Sequence, residues 1–279
     1  MSAIVIIPAR YASTRFPGKP LALLKGMPVI QHVYQRAVHS LLADDVVVAT
    51  DSKAIYEKVL SFGGKAVMTS GEHASGTDRI AEVAGSMNYD IIVNVQGDEP
   101  LIQPEMIDDV ISVLDDPRVS LGTLAIRIKN RREIFDPNIV KVVFNRNGFA
   151  FYFSRAPIPY HRDEWKDIEG FRELGSGIEK AGVRGLGLGV SEKGPISNPQ
   201  LPIPNHCFKH IGIYSYRKDV LAQLSKLPPS RLEVIEKLEQ LRAIEHGFII
   251  KVKETSHDTL GVDTPEDLER IEKCLNSSL

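Results

Sequence analysis

Cysteine is nearly absent: Cys207 and Cys274 stand far apart, without the close spacing of a metal knuckle. Two such residues give no disulfide framework and fit a reducing compartment, so the cytoplasm is the expected setting. An excess of one charge is absent too, because 34 Lys and Arg against 36 Asp and Glu leave a net charge of -2. That balance provides no general field for nucleic acid or an anionic membrane, so neither is expected as a partner. Long apolar runs are also lacking. The stretch 4–7 is too short for a signal-peptide core and has no basic segment before it, and no later stretch approaches membrane-spanning length. No internal repeat is present. What is there is a chain of 279 residues, 43% apolar, able to bury a sizeable core as one large α/β domain or two small ones. A soluble globular enzyme is the default expectation.

Short β-branched runs at 3–7, 46–49, 66–68 and 91–95 are separated by stretches of helical spacing. This alternation predicts a buried parallel sheet covered by helices. The first helix is expected over 28–40, with Pro28 in its first turn and Val29, Ile30, Val33, Tyr34, Ala37 and Val38 on its apolar face. Another begins near Pro104, runs through 107–114 and stops at Asp115, Asp116 and Pro117. LGTLAIRI, IVKVVF and FAFYFS then predict three strands, the last two joined through Asn145, Arg146, Asn147 and Gly148, a strong hairpin signal. Residues 161–205 contain GSGIEKAGVRGLGLGV and PISNPQLPIPN with weak periodicity, which predicts a long excursion or lid. FKHIGIYSY returns to strand character. SRLEVIEKLEQLRAIEHG predicts a helix with Ser230 as N-cap, Glu233 as capping-box partner and Gly247 past the end. FIIKVKE predicts the final strand. In GVDTPEDLERIEKCL, Thr264, Pro265 and Asp267 supply a cap, a first-turn proline and a box partner, which pins Asp263 immediately outside a helix start.

Three stretches can carry chemistry. PARYASTRFPGKP leaves the carboxyl end of the first strand, where open α/β sheets place their ligands, and gathers Arg10, Arg15 and Lys19 around Ser13 and Thr14. Arginine can bind phosphate oxygens bidentately and lysine adds a compact charge, so a nucleoside triphosphate is the natural guest. Lys19 is followed by Pro20, which disfavours a P-loop. The bland alternative is a solvated basic turn. IIVNVQGDEP ends a strand in Gly97, Asp98 and Glu99. A carboxylate there suits Mg²⁺, which joins one or two carboxylates to substrate phosphates, and Gly97 permits close backbone approach. Its alternative is a polar turn, but Asp263 offers a second carboxylate, and the combination is sharper than either piece. EHASGTDRI joins small residues to Thr77, Asp78 and Arg79 before a helical stretch, with Arg79 for base or phosphate recognition or, more blandly, a helix cap with a surface arginine. GLGLGV lacks the glycine spacing and βαβ context of a dinucleotide loop, and adjacent His206 and Cys207 are poor support for zinc.

IPARYASTRFPGKPL, ATDS, SGTDRIAE, VNVQGDEPLI, FYFSRAPIP, KHIGIYSY, LEQLRAIEHG and GVDTPEDLER, in this order, resemble the 3-deoxy-manno-octulosonate (Kdo) cytidylyltransferase family from the first strand to the last helix, the 161–205 excursion excepted. The resemblance implies a Rossmann-like nucleotidyltransferase fold with a mostly parallel central sheet. It also implies a smaller sugar-binding and dimerisation lobe, placed at about 121–220 of this single domain, and a homodimer. The implied reaction is CTP plus Kdo giving CMP-Kdo and pyrophosphate, for lipopolysaccharide biosynthesis. By the same resemblance Arg10, Ser13, Arg15, Lys19, Ser75, Arg79 and Gln96 would bind CTP, with Arg10 and Lys19 also counted among the catalytic groups. Asp98 and Asp263, likewise counted as catalytic, would hold Mg²⁺, and Arg155, His210, Tyr214, Glu239 and Gln240 would face the acidic eight-carbon sugar. The excursion departs from the family pattern, which joins its two flanking motifs by a shorter stretch. Another acidic sugar, such as 8-amino-Kdo or a sialic-acid-like one, therefore stays open, as does a non-catalytic nucleotide-binding regulator on the same fold.

Overall fold

The computed structural model describes residues 1–12, 16–73, 75–165 and 206–277. Ser13, Thr14, Arg15 and the expected excursion beyond residue 165 lie outside the described residues. In chain order the elements are β1 (Ala3–Ala9), the small pair β2 (Leu23–Leu24) and β3 (Met27–Pro28), α1 (Val29–Ala37), β4 (Asp45–Thr50), α2 (Lys53–Ser61), β5 (Ala66–Met68), α3 (Gly76–Gly85), β6 (Ile91–Asn94), α4 (Pro104–Ser112), β7 (Leu121–Arg127), α5 (Arg131–Phe135), β8 (Lys141–Phe144), β9 (Ala150–Ser154) and α6 (Arg162–Trp165). After the undescribed stretch come β10 (Phe208–Arg217), α7 (Lys218–Leu224), α8 (Arg231–Glu236), α9 (Gln240–Glu245), β11 (Ile250–Glu254) and α10 (Pro265–Ser277).

The central sheet runs β11-β7-β10-β6-β1-β4-β5. β1 lies parallel between β4 and β6, β4 pairs parallel with β5 and β11 parallel with β7, while β10 is antiparallel to both β6 and β7. Alternation along β1 explains why nearly the whole strand is apolar. Val5 and Ile7 face a cluster that includes Ile30 and Val33 of α1 and Val110 of α4, and Ile4 and Ile6 face one with Ile80 and Val83 of α3 and Leu221 of α7. With helices on both faces, a polar residue on either side would lose water without gaining a partner.

β7 and β10, expected in a smaller lobe, lie inside the central sheet, and the β8–β9 hairpin extends from β10. The hairpin turn follows the sequence signal: the Asn145 side-chain oxygen accepts from the amides of Asn147 at 2.9 Å and Phe149 at 3.0 Å, and Gly148 takes φ +83°. The helix expected over 28–40 starts one residue later, because Pro28 keeps extended backbone and pairs with Leu23. The helix expected after Ser230 is two helices. Its capping box forms as expected, but Lys237 adopts φ 55° and breaks it. The cause is tertiary: the Glu236 carbonyl accepts from Arg155 Nε at 2.8 Å, while its carboxylate takes Ser154 Oγ at 2.6 Å and the Arg155 amide at 3.0 Å. Among the described residues no helix is long and apolar enough to cross a membrane.

Candidate active site

Strands β1 and β6 are neighbours and end side by side, so Arg10 and the Gly97–Asp98 turn emerge together. Gly97 is required there: a Cβ would stand 2.7 Å from the Pro8 carbonyl oxygen, closer than non-bonded atoms approach. The basic loop returns to the same place through a backbone bond from Gly18 to the Tyr11 carbonyl at 2.9 Å, with Gly18 at φ +73°, and this sets Lys19 over the turn. From the far end of the chain, the Val262 amide donates to the Asp98 carbonyl at 2.8 Å. The cap of α10 fixes the next residues, since Asp267 Oδ2 accepts from the amides of Asp263 and Thr264, each at 3.0 Å.

These constraints bring together Lys19 and the carboxylate pair Asp98 and Asp263, as expected from the sequence. Lys19 Nζ hydrogen-bonds Asp98 Oδ2 and lies 3.4 Å from Asp263 Oδ1. The ammonium is a cation held by both carboxylates, so the pair is a built position for positive charge. Among the described residues no three His, Cys, Asp or Glu side chains converge as a metal cage. Two hard oxygen donors open to substrate are the set that fits Mg²⁺, which keeps its other positions for water and phosphate. Beside them the Glu99 carboxyl is buried with Oε2 lacking a hydrogen bond, and burial, reinforced by the Asp98 charge, pushes it up to about 8.

The third stretch forms the start of α3. Ser75 caps it, accepting from the Asp78 amide at 3.1 Å while Asp78 accepts from the Ser75 amide at 3.0 Å. Reciprocal caps of this kind stabilise a helix by about 1 kcal/mol. Arg79 differs from its expected place in nucleotide recognition. It is fully buried, with Nη2 on Asp51 at 2.8 Å and Nη1 on Thr69, so its guanidinium ties the ends of β4 and β5 beneath the loop instead of reaching out to a base. The sequence could not show this, because the burial depends on Asp51 standing at the end of a neighbouring strand.

A cavity of about 330 Å³ adjoins the α3 start and is lined by Gln96, His210, Gly212, Tyr214, Glu239 and Gln240, among others. Four of the five residues expected on the sugar side thus share one chamber, and Gln96, expected with CTP, opens onto the same space. β10 delivers two of them. Its register against β7 jumps between Ile211 and Tyr214, and the two extra residues preserve the alternation that turns His210 and Tyr214 the same way. Burial drives the His210 imidazole down to about 3, so it is neutral, with Nε2 3.0 Å from Thr123 Oγ1. Burial raises the Tyr214 hydroxyl, which makes no hydrogen bond. Arg155 is elsewhere: Nε donates to the Glu236 carbonyl and Nη1 to the Pro137 carbonyl at 2.9 Å, which anchors the β8–β9 hairpin to the break between α8 and α9. Thr77 of the EHASGTDRI stretch also lines the cavity, as do Asn94 and Tyr216, which were not singled out from the sequence. The period-two spacing of His210, Tyr214 and Tyr216 was the available signal.

A lysine between two carboxylates at the strand ends of an α/β sheet is an arrangement that suits the phosphates and cation of a nucleotide. The cytidylyltransferase family profile matches residues 4–256. A 3-deoxy-manno-octulosonate cytidylyltransferase of Thermodesulfovibrio yellowstonii is 50% identical over 99% of both chains, and one of Geobacter sulfurreducens is 47% identical over 97% of this chain and 98% of its own. Among solved structures, a CMP:2-keto-3-deoxy-manno-octonic acid synthetase complexed with CTP superposes with TM-score 0.82 at 40% identity, over the whole of both chains. A 4-diphosphocytidyl-2C-methyl-D-erythritol synthase from Anaerococcus prevotii shares the fold alone, at TM-score 0.57 and 10% identity. The chain belongs to the 3-deoxy-manno-octulosonate cytidylyltransferase family.

Proposed function

We propose that the protein transfers CMP from CTP to the anomeric hydroxyl of Kdo, giving CMP-Kdo and pyrophosphate for lipopolysaccharide biosynthesis. The observation that carries the reading is Lys19 held by both Asp98 and Asp263 beside the cavity of His210, Tyr214, Glu239 and Gln240. The names of the full-length relatives support it.

The acceptor oxygen forms a bond to the α-phosphorus, the bond from that phosphorus to the bridging oxygen breaks, and pyrophosphate leaves with the electron pair as the hydroxyl proton is released. Such a transfer needs charge neutralisation and in-line placement more than a covalent enzyme group. Arg10 and Lys19 bind and orient the triphosphate, with Ser13 and Arg15 assigned to the same loop. Asp98 and Asp263 would hold Mg²⁺, which when bound neutralises phosphate charge and makes the acceptor hydroxyl more acidic. Neutral His210 can take part in a hydrogen bond to a sugar hydroxyl without adding charge. The enzyme acts in the cytoplasm as a homodimer in this reading.

The test is pyrophosphate release with Mg²⁺, crossing CTP, UTP, ATP and GTP against Kdo, 8-amino-Kdo and N-acetylneuraminate. Release confined mainly to CTP with Kdo is expected. CTP with a different acid sugar would keep the chemistry and replace the acceptor, whereas silence across the panel with intact CTP binding would overturn the enzyme reading in favour of a nucleotide-binding regulator.

A further inference from the structure

Thr77 occupies the first turn of α3 and is buried, yet its hydroxyl does not serve its own helix. It donates to Glu239 Oε2 at 2.7 Å, across to the residue that precedes α9. The other carboxylate oxygen, Glu239 Oε1, is shielded from solvent and makes no hydrogen bond, with Arg242 Nη2 3.8 Å away. Both residues line the cavity. A shielded carboxylate oxygen without a donor is costly, so the orientation of this carboxylate depends on the hydrogen bond made at its other oxygen. The start of a ten-residue helix beside this carboxylate adds a further favourable field for its charged form. Burial nevertheless raises the Glu239 carboxyl, and the Thr77 hydrogen bond is the largest influence pulling it back.

We infer that Thr77 is a positioning residue for the acceptor: it fixes one oxygen of Glu239 from the nucleotide side and so sets how this carboxylate lies in the wall of the cavity that takes the sugar. The inference rests on the proposed transfer to an acidic sugar and adds a residue to it. Thr77 touches neither the reacting phosphate nor the acceptor oxygen in this account; it acts through Glu239. A hydroxyl is the group required, because a methyl in its place leaves Oε2 unpaired and the carboxylate free to turn toward Arg242.

The test is a mutant cycle on the full chain with CTP, Mg²⁺ and Kdo. A hydrogen bond to a charged group contributes about 1.5–3 kcal/mol, so Thr77→Val should raise the KM for Kdo by about tenfold or more and leave the KM for CTP within about twofold. Thr77→Ser keeps the hydroxyl and should recover most of the loss. Glu239→Gln removes the charge that Thr77 holds, so adding Thr77→Val to it should cost little more. Equal rises in both KM values, no change in the KM for Kdo, or losses that multiply in the double variant would each overturn the inference. Thr77→Ala serves the same cycle if the valine variant does not fold. Failure of the underlying reading is distinguishable, because the wild-type protein would then release no pyrophosphate with any acidic sugar. The carboxyl ¹³C titration of Glu239 checks the contact without substrate: it should move to higher pH in Thr77→Val and stay near wild type in Thr77→Ser, and an unmoved titration in the valine variant would overturn the role.

Discussion

The Val262 amide donates to the Asp98 carbonyl oxygen at 2.8 Å, so the turn after β6 and the segment leading into α10 form one unit. The separation of Asp98 from Asp263 is therefore set by backbone, and only their carboxylates are left to respond to a ligand. Substitutions that keep side-chain shape should act on charge alone.

Asp98→Asn and Asp263→Asn are each expected to lower turnover by about 10²-fold or more while the fold and the unfolding transition are kept, since each removes a full negative charge from a site built for cations. Steady-state rates across a Mg²⁺ series check this. Near-normal rates at saturating Mg²⁺ would sink the assignment.

Lys19→Ala leaves two neighbouring carboxylates without the ammonium that both contact. The KM for CTP, or turnover, should worsen while the KM for the sugar stays close to wild type. A defect confined to the sugar would place Lys19 in the wrong half of the site.

Gly97→Ala would set a methyl 2.7 Å from the Pro8 carbonyl oxygen, and both positions are fixed by neighbouring strands of the core. Overpacking of this kind costs about 1–3 kcal/mol, so a lower melting temperature is expected together with a loss of activity larger than at an equally exposed turn. An unchanged melting temperature would show that the turn can open without cost.

His210 is neutral because burial holds it at about 3, below the 6.5 of a free imidazole. The unfolded chain binds this proton first, so the stability tied to neutral His210 is full above pH 6.5 and is lost as the pH falls toward 3. Relative to His210→Gln, the wild-type protein should lose stability progressively through that window in denaturant titrations at stepped pH. A difference that stays flat across it would mean that the ring is solvated.

Much of this was legible along the chain because the signals are local. The apolar runs of β1, β4, β5 and β6, the capping boxes at Ser230 and Thr264 and the turn at Asn145 each depend on a few adjacent residues. The placement of Asp263 outside a helix start followed from its cap in the same way. What the sequence concealed depends on residues distant along it. Lys237 breaks a good helical pattern because Arg155 takes the Glu236 carbonyl, and Arg79 is buried because Asp51 and Thr69 wait at the ends of two other strands. The role expected for Arg155 rested on a motif, and the motif does not tell that its guanidinium grips two backbone carbonyls. Thr77 read as part of a helix start, and its partner just before another helix was invisible.

The last helix is attached late and at several points: Val262 and Ile271 pack with Leu24 and Val29, and Glu272 Oε1 accepts from the Lys25 amide at 2.8 Å. Every strand of the central sheet precedes this helix, so a growing chain can complete its sheet before Asp263 arrives. A protein cut short after β11 would keep the nucleotide loop and Asp98 but lack half of the carboxylate pair. Asp263 is thus the last member of the trio to be made, and the carboxylate pair exists only once the segment after β11 has docked onto the turn after β6.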